Sequence, residues 1–278
     1  MSGRQRPGVA RLSTGVTLPY LEQGDRSGQP LLLIHAWGES LGSFSRLLPL
    51  LPKTIRAFAM DLRGHGDADK PADAYAMADY VADLAAFQDA LGLGPCVLVG
   101  SSSGGYVAQH FALREPTRTR GLVLVGAPRS LRGRPPFADE VDQLIDPIDS
   151  DWVRSSLEWF EFHHPVPEDY VADRIDDGLR MPAHVWKLAL AGFSEATVPT
   201  ETGTISTPTL IIWGERDNLL PRGEATKLAA AIPRSRLVVY ESTGHMVLWE
   251  QPERISNDIS AFVDEISNGP SRAQTGET

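Results

Sequence analysis

Short unbroken apolar runs recur along the chain and alternate with stretches whose apolar positions fall every three or four residues. Leu31-Leu32-Leu33-Ile34 is too short for a helix and has no polar face, as expected of a strand covered on both sides. Ile55 to Met60, Val97 to Val99, Leu122 to Val125, Thr209 to Trp213 and Arg236 to Tyr240 give further strands. Between them, Met77 to Leu91 carries Val81, Leu84, Phe87 and Leu91 at helical spacing. Helices are also predicted near Phe44 to Leu51 and over Gly105 to Arg114, Arg222 to Ile232 and Pro252 to Ile266. Such alternation implies parallel strand pairing with right-handed crossovers. Val9 to Leu12 and Val16 to Glu22, split by Ser13-Thr14-Gly15, read as a hairpin on the sheet edge.

The alternation breaks at Gly126-Ala127-Pro128 and resumes only at Thr209. Three helical patterns fill the gap: Trp152 to Phe162, Glu168 to Leu179 and Ala183 to Phe193. The chain thus divides into a core of residues 1–128 and 207–267, a helical cap over 129–206, and a polar, turn-rich tail over 268–278 that is expected to be disordered.

With 278 residues and 42% hydrophobic content, the chain can bury a substantial core. Its net charge of −10 argues against nucleic acid or an anionic membrane as a partner. The lone Cys96, in a strand, excludes an internal disulfide and reads as packing. No apolar run has the length of a signal peptide or a membrane span, so a cytoplasmic location is the expectation. No phosphate-cradling G-x-x-x-x-G-K, H-E-x-x-H or paired C-x-x-C occurs, so neither a cofactor nor a metal is expected.

The sharpest chemical signal is Gly100-Ser101-Ser102-Ser103-Gly104, directly after an apolar strand. Read as G-x-S-x-G, the glycines select one serine of three: only Ser102 has glycine at both minus two and plus two. A serine on so sharp a strand-to-helix turn is strained, and that strain exposes its hydroxyl beside the positive end of a helix. Three other stretches stand in the same chain order: Leu33-Ile34-His35-Ala36-Trp37-Gly38, Asp61-Leu62-Arg63-Gly64-His65-Gly66, and Gly214-Glu215-Arg216-Asp217 followed by Gly244-His245.

Together these stretches resemble the motifs of the α/β-hydrolase superfamily and span nearly the whole chain. The resemblance implies an α/β fold, a mostly parallel sheet flanked by helices, with Ser102 as nucleophile. A serine hydroxyl needs an imidazole to take its proton, and His245 lies where the family places that base, between the last strand and the last helix. Asp217 resembles the family's acid, with Glu215 as the nearest rival, and the order Ser102, Asp217, His245 is the family's order. By the same resemblance, the oxyanion hole is the backbone N–H groups of Trp37 and Ser103. The chain departs from the family at Ala36, where His-Gly is usual. Asp61, His35, His65 and His110 read as structural residues, and His163-His164 as solvated or packed.

The implied activity is a serine hydrolase acting on an ester or lactone of a small to medium, mainly apolar molecule, closest in spacing to esterase, enol-lactonase and cofactor-free haloperoxidase members. A carbon–carbon hydrolase or lyase, or a ligand sensor with little turnover, remains open on the same residues. Trp37, Trp159, Phe160, Trp186 and Met246 are the expected substrate-contacting side chains. Arg129, Arg132 and Arg134 read as a solvated basic loop, with a carboxylate-binding role as the alternative.

Overall fold

In the computed structural model, residues 4–220 and 223–268 are described. From residue 269 onward the expected tail lies outside them. The chain opens with a hairpin of β1 (Arg6–Arg11) and β2 (Thr17–Gln23), followed by β3 (Gln29–Ile34) and β4 (Ile55–Met60). Helix α1 (Met77–Ala90), β5 (Cys96–Ser101), α2 (Ser103–Arg114) and β6 (Thr119–Val125) complete the first half. Helices α3 (Ala138–Asp142), α4 (Ser150–Ser156), α5 (Glu168–Leu179), α6 (Ala183–Glu195) and α7 (Pro199–Thr202) come next. The sheet resumes with β7 (Thr209–Gly214), α8 (Glu224–Ala231) and β8 (Ser235–Tyr240), and the chain ends in α9 (Val247–Glu250) and α10 (Pro252–Asn268).

Among the described residues, eight strands form one sheet in the order β1-β2-β4-β3-β5-β6-β7-β8. β2 pairs antiparallel with β1 and β4, and every other pairing is parallel. The unbroken apolar runs have a direct cause. Alternate residues of a strand face opposite sides of the sheet, and here both sides are covered. Leu32, Ile34, Leu98 and Leu124 pack into a cluster with Tyr80, Phe87 and Phe111 of α1 and α2. Leu31, Leu33, Val99 and Val123 pack into the opposite cluster with Ile255, Ile259 and Phe262 of α10. Each of Leu31, Leu32, Leu33 and Ile34 is fully buried, worth about 1.5–3 kcal/mol apiece. Cys96 is also buried in this layer, and burial pushes its thiol up to about 12.

Two predicted helices differ from expectation. The segment from Phe44 to Leu51 forms two 3₁₀ turns, Leu41–Phe44 and Leu48–Leu50, because Pro49 has no N–H to give to a carbonyl four residues back. The predicted helix over Trp152 to Phe162 stops as α4 at Ser156, tightens to a 3₁₀ turn over Leu157–Trp159 and leaves Phe160 extended. Helix α8 begins at Glu224, whereas Arg222 lies outside the described residues.

The Asp61 to Gly66 stretch braces the ends of the strands. Arg63 donates to both carboxylate oxygens of Asp83 at 2.6 Å, both side chains being buried. Asp61 accepts the N–H groups of Leu41 at 2.7 Å and Asp67 at 2.9 Å, and burial pushes its carboxyl up to about 6. His35 ties the neighbouring loop to it: Nδ1–H donates to the Ala36 carbonyl at 2.8 Å, and Nε2 accepts the Leu62 N–H at 3.0 Å.

Candidate active site

The turn between β5 and α2 carries Ser102 at φ 46° and ψ −120°. Such a backbone costs on the order of 1–3 kcal/mol and persists only where its surroundings over-determine it. Here the Ser102 N–H bonds the Val125 carbonyl at 2.9 Å, and the Ser102 carbonyl accepts from Gly105 N–H at 2.9 Å. The flanking glycines are required sterically: a Cβ on Gly104 would run into the carbonyl oxygens of Ile34 and His35, and one on Gly100 into the backbone of Gly104 and Gly105.

Three side chains from three loops converge on this turn. The Ser102 hydroxyl lies 3.0 Å from His245 Nε2, and His245 Nδ1 lies 2.8 Å from Asp217 Oδ2. With Nδ1–H donating to the carboxylate, Nε2 is left as acceptor for the Ser102 hydroxyl. Asp217 is itself fixed, since its other oxygen accepts the N–H groups of Leu219 at 2.9 Å and Leu220 at 3.0 Å. The rival acid, Glu215, accepts from the Ser242 N–H at 2.9 Å instead.

The His245 loop is pinned from the other side. Glu250, 5% exposed, accepts N–H from Gly244 at 2.9 Å, His163 at 2.9 Å and His164 at 3.0 Å. One buried carboxylate therefore joins the His245 loop to the segment after α4. Nothing local in the sequence announces the link to the segment after α4, because two of the three partners lie 86 and 87 residues away.

Ala36 keeps a negative φ, and the left-handed residue of its loop is Gly38 at φ +81°. A Cβ on Gly38 would run into the Trp186 ring. The Trp37 N–H is aimed at the Ser103 hydroxyl oxygen, which it bonds at 2.7 Å. The N–H of Ser103, first residue of α2, precedes the helical hydrogen-bond ladder and is spare.

Above Ser102 lies a cavity of about 160 Å³ between the strand ends and the helical segment. Ser102, Ser103 and His245 line it, as do all five expected contact side chains: Trp37, Trp159, Phe160, Trp186 and Met246. The walls are mostly apolar and interlocked. Trp186 meets Trp37 edge-on at 4.7 Å between centroids, and Phe137 stacks on Trp159 at 4.3 Å. Phe137 follows two prolines in a loop and carries no periodic signal in the sequence.

Two further wall residues escaped sequence reasoning. Glu39, 6% exposed, accepts the Ser43 hydroxyl at 2.6 Å, and burial pushes its carboxyl up. Arg174 of α5 donates Nε–H to Asp177 at 2.6 Å, while its Nη1 is buried with no partner among the described residues. Leu131 of the basic loop lines the cavity, whereas Arg129, Arg132 and Arg134 do not; Arg129 pairs with Glu201 at 3.0 Å, and Arg134 with Asp142 at 2.6 Å. Among the described residues, no cluster of three or more His, Cys, Asp or Glu is arranged to hold a metal, and no helix is long and apolar enough to cross a membrane.

The chain is 31% identical to a non-heme chloroperoxidase of Streptomyces lividans over 92% of its own length and 99% of that protein's. It is 29% identical to a 2-hydroxymuconate semialdehyde hydrolase of Pseudomonas sp. strain CF600, over 86% and 88% respectively. The crystal structure of a putative aryl esterase from Burkholderia cenocepacia superposes with a TM-score of 0.82 at 25% identity, covering 95% of this chain and all of that one. Residues 31–258 match the model of the alpha/beta hydrolase family, and the chain belongs to that family.

Proposed function

We propose that the protein is a serine hydrolase that cleaves a carboxylic ester or lactone of a small to medium, mainly apolar substrate through an acyl-enzyme. The observation that carries this reading is the unbroken hydrogen-bond line from Asp217 through His245 to Ser102, ending in an apolar cavity.

In the first step the Ser102 oxygen attacks the substrate carbonyl carbon while His245 Nε2 takes the hydroxyl proton. Asp217 holds the imidazole in the required tautomer and stabilises the imidazolium that forms. The oxyanion meets donors at the start of α2, where the helix dipole also favours negative charge. His245 then gives its proton to the leaving alcohol, and a water activated by the same nitrogen releases the acyl group. The five expected cavity side chains favour an apolar acyl group, and the helical segment over residues 129–206 acts as the cap that excludes bulk water. Glu39 and Arg174 suit a substrate with one hydrogen-bonding group away from the reacting carbonyl.

A second reading, carbon–carbon bond hydrolysis on the same residues, is favoured by the similarity to the semialdehyde hydrolase. A panel of aryl esters, lactones and vinylogous diketones separates the two. The proposal expects turnover of esters or lactones by the wild type and none by Ser102→Ala; turnover of the diketones alone would replace it with the second reading.

A further inference from the structure

The hydroxyl of Ser103 stands where an oxyanion would meet the Trp37 N–H. That N–H donates to Ser103 Oγ at 2.7 Å, and Ser103 is buried on the cavity wall beside Ser102. Among the described residues the hydroxyl hydrogen of Ser103 has no acceptor, so its donor capacity is unspent. The same residue carries the spare N–H at the start of α2. We propose that the Ser103 side chain is itself an oxyanion donor: the developing negative oxygen accepts from Ser103 N–H and Ser103 O–H, while Trp37 N–H polarises that hydroxyl from behind.

Two arrangements compete for this place. If Ser103 turned away to admit the oxyanion to Trp37 N–H directly, its hydroxyl would enter a mostly apolar cavity and lose its hydrogen-bond partner, which costs free energy. If it stays, it keeps its bond to Trp37 and directs its free hydrogen at the charge. A donor already accepting a hydrogen bond is strengthened by it, and a bond to an ionised oxygen is stronger than one between neutral groups. The second arrangement therefore gains at both ends. No proton is transferred in it; the hydroxyl keeps its hydrogen throughout.

The inference rests on the ester-hydrolase reading, and one experiment separates the two. Wild type, Ser103→Ala, Ser103→Thr and Ser103→Val are compared for labelling by a fluorophosphonate, for kcat and KM on an aryl acetate, and for inhibition by a trifluoromethyl ketone. Losing the hydroxyl lowers kcat on the order of 10- to 100-fold. It leaves KM within about threefold, because the interaction forms only as charge develops. The trifluoromethyl ketone, which binds as a tetrahedral oxyanion, weakens by the same factor as kcat. Thr retains most of the activity and Val, which differs from Thr by the hydroxyl alone, does not; that pair carries the comparison if Ser103→Ala fails to fold. A kcat in the Ala or Val variant equal to or above that of its hydroxyl-bearing counterpart would show that the hydroxyl merely occupies the seat, and would overturn the proposal. A wild type that neither labels nor turns over the acetate removes the hydrolase reading and this inference with it.

Discussion

The Phe160 ring lies parallel to the His245 imidazole, with centroids 5.7 Å apart and planes 12° from each other. The stack covers one face of the imidazole while both its nitrogens stay engaged, Nδ1 by Asp217 and Nε2 by Ser102. A parallel aromatic contact contributes about 0.5–1.5 kcal/mol beyond its buried area. Phe160→Ala is expected to lower kcat/KM by roughly 2- to 10-fold, with Phe160→Tyr close to wild type. Steady-state kinetics on any accepted ester checks this, and an unchanged Phe160→Ala would mean the ring does not position the base.

Glu250 carries a heavier structural duty. Its carboxylate accepts three backbone N–H groups from two segments that are remote in sequence. Hydrogen bonds to a charged group are worth about 1.5–3 kcal/mol each. Glu250→Ala is therefore expected to cost at least about 3 kcal/mol in stability and to lower kcat, because Gly244 adjoins His245. Urea denaturation together with kcat measures both. Full activity at wild-type stability would contradict the pinning role.

The turn that presents Ser102 leaves no room at Gly104, where an added methyl would collide with the backbone at the end of β3. Backbone cannot shift as a flexible side chain can. Gly104→Ala is expected to lose about 3 kcal/mol or more of stability, read as a fall in the thermal midpoint. Ala at the exposed Gly94, which meets nothing within 4 Å, provides the control and is expected to leave the midpoint within a few degrees.

Three buried histidines set the response to acid. Burial pushes His35 down to about 4, His65 to about 3 and His110 to about 4, from an ordinary 6.5. Between pH 6.5 and 4 the unfolded chain binds protons at these positions that the folded chain does not. Stability is therefore fully present above pH 6.5 and is lost as pH falls, at up to about 1.4 kcal/mol per pH unit for each histidine. Two buried carboxyls act in the opposite sense. Asp61, raised to about 6, and Glu39, also raised by burial, hold protons in the folded state that the unfolded chain releases. With three groups against two, the histidines prevail and the net effect is a loss of stability as pH falls below 6.5. A urea midpoint that is lower at pH 5.5 than at pH 7 is expected; an equal or higher midpoint would contradict neutral burial of these rings.

Where the physics was local, the fold was legible in the sequence. The doubly covered strand β3 announces itself as four apolar residues in a row, and glycine spacing alone singles out the serine at the sharp turn. Where a distant partner decides the outcome, the sequence misleads. Val153, Leu157 and Phe160 keep helical spacing, yet the chain leaves the helix because Phe160 is extended to stack on His245, and the N–H groups of His163 and His164 go to Glu250 rather than to helical carbonyls. Glu39, Arg174 and the Ser103 hydroxyl were invisible for a related reason. Each acquires its meaning from a cavity that exists only once α4, α5 and the loop of Trp37 have met over the strand ends.

The central claim is that the Ser102 hydroxyl is activated by His245, and covalent labelling tests it most directly. Incubated with a fluorophosphonate and mapped by peptide mass spectrometry, the wild type is expected to carry one adduct, on Ser102, with no adduct on Ser102→Ala and strongly slowed labelling of His245→Ala. An adduct on another residue, or labelling at the wild-type rate in His245→Ala, would contradict it.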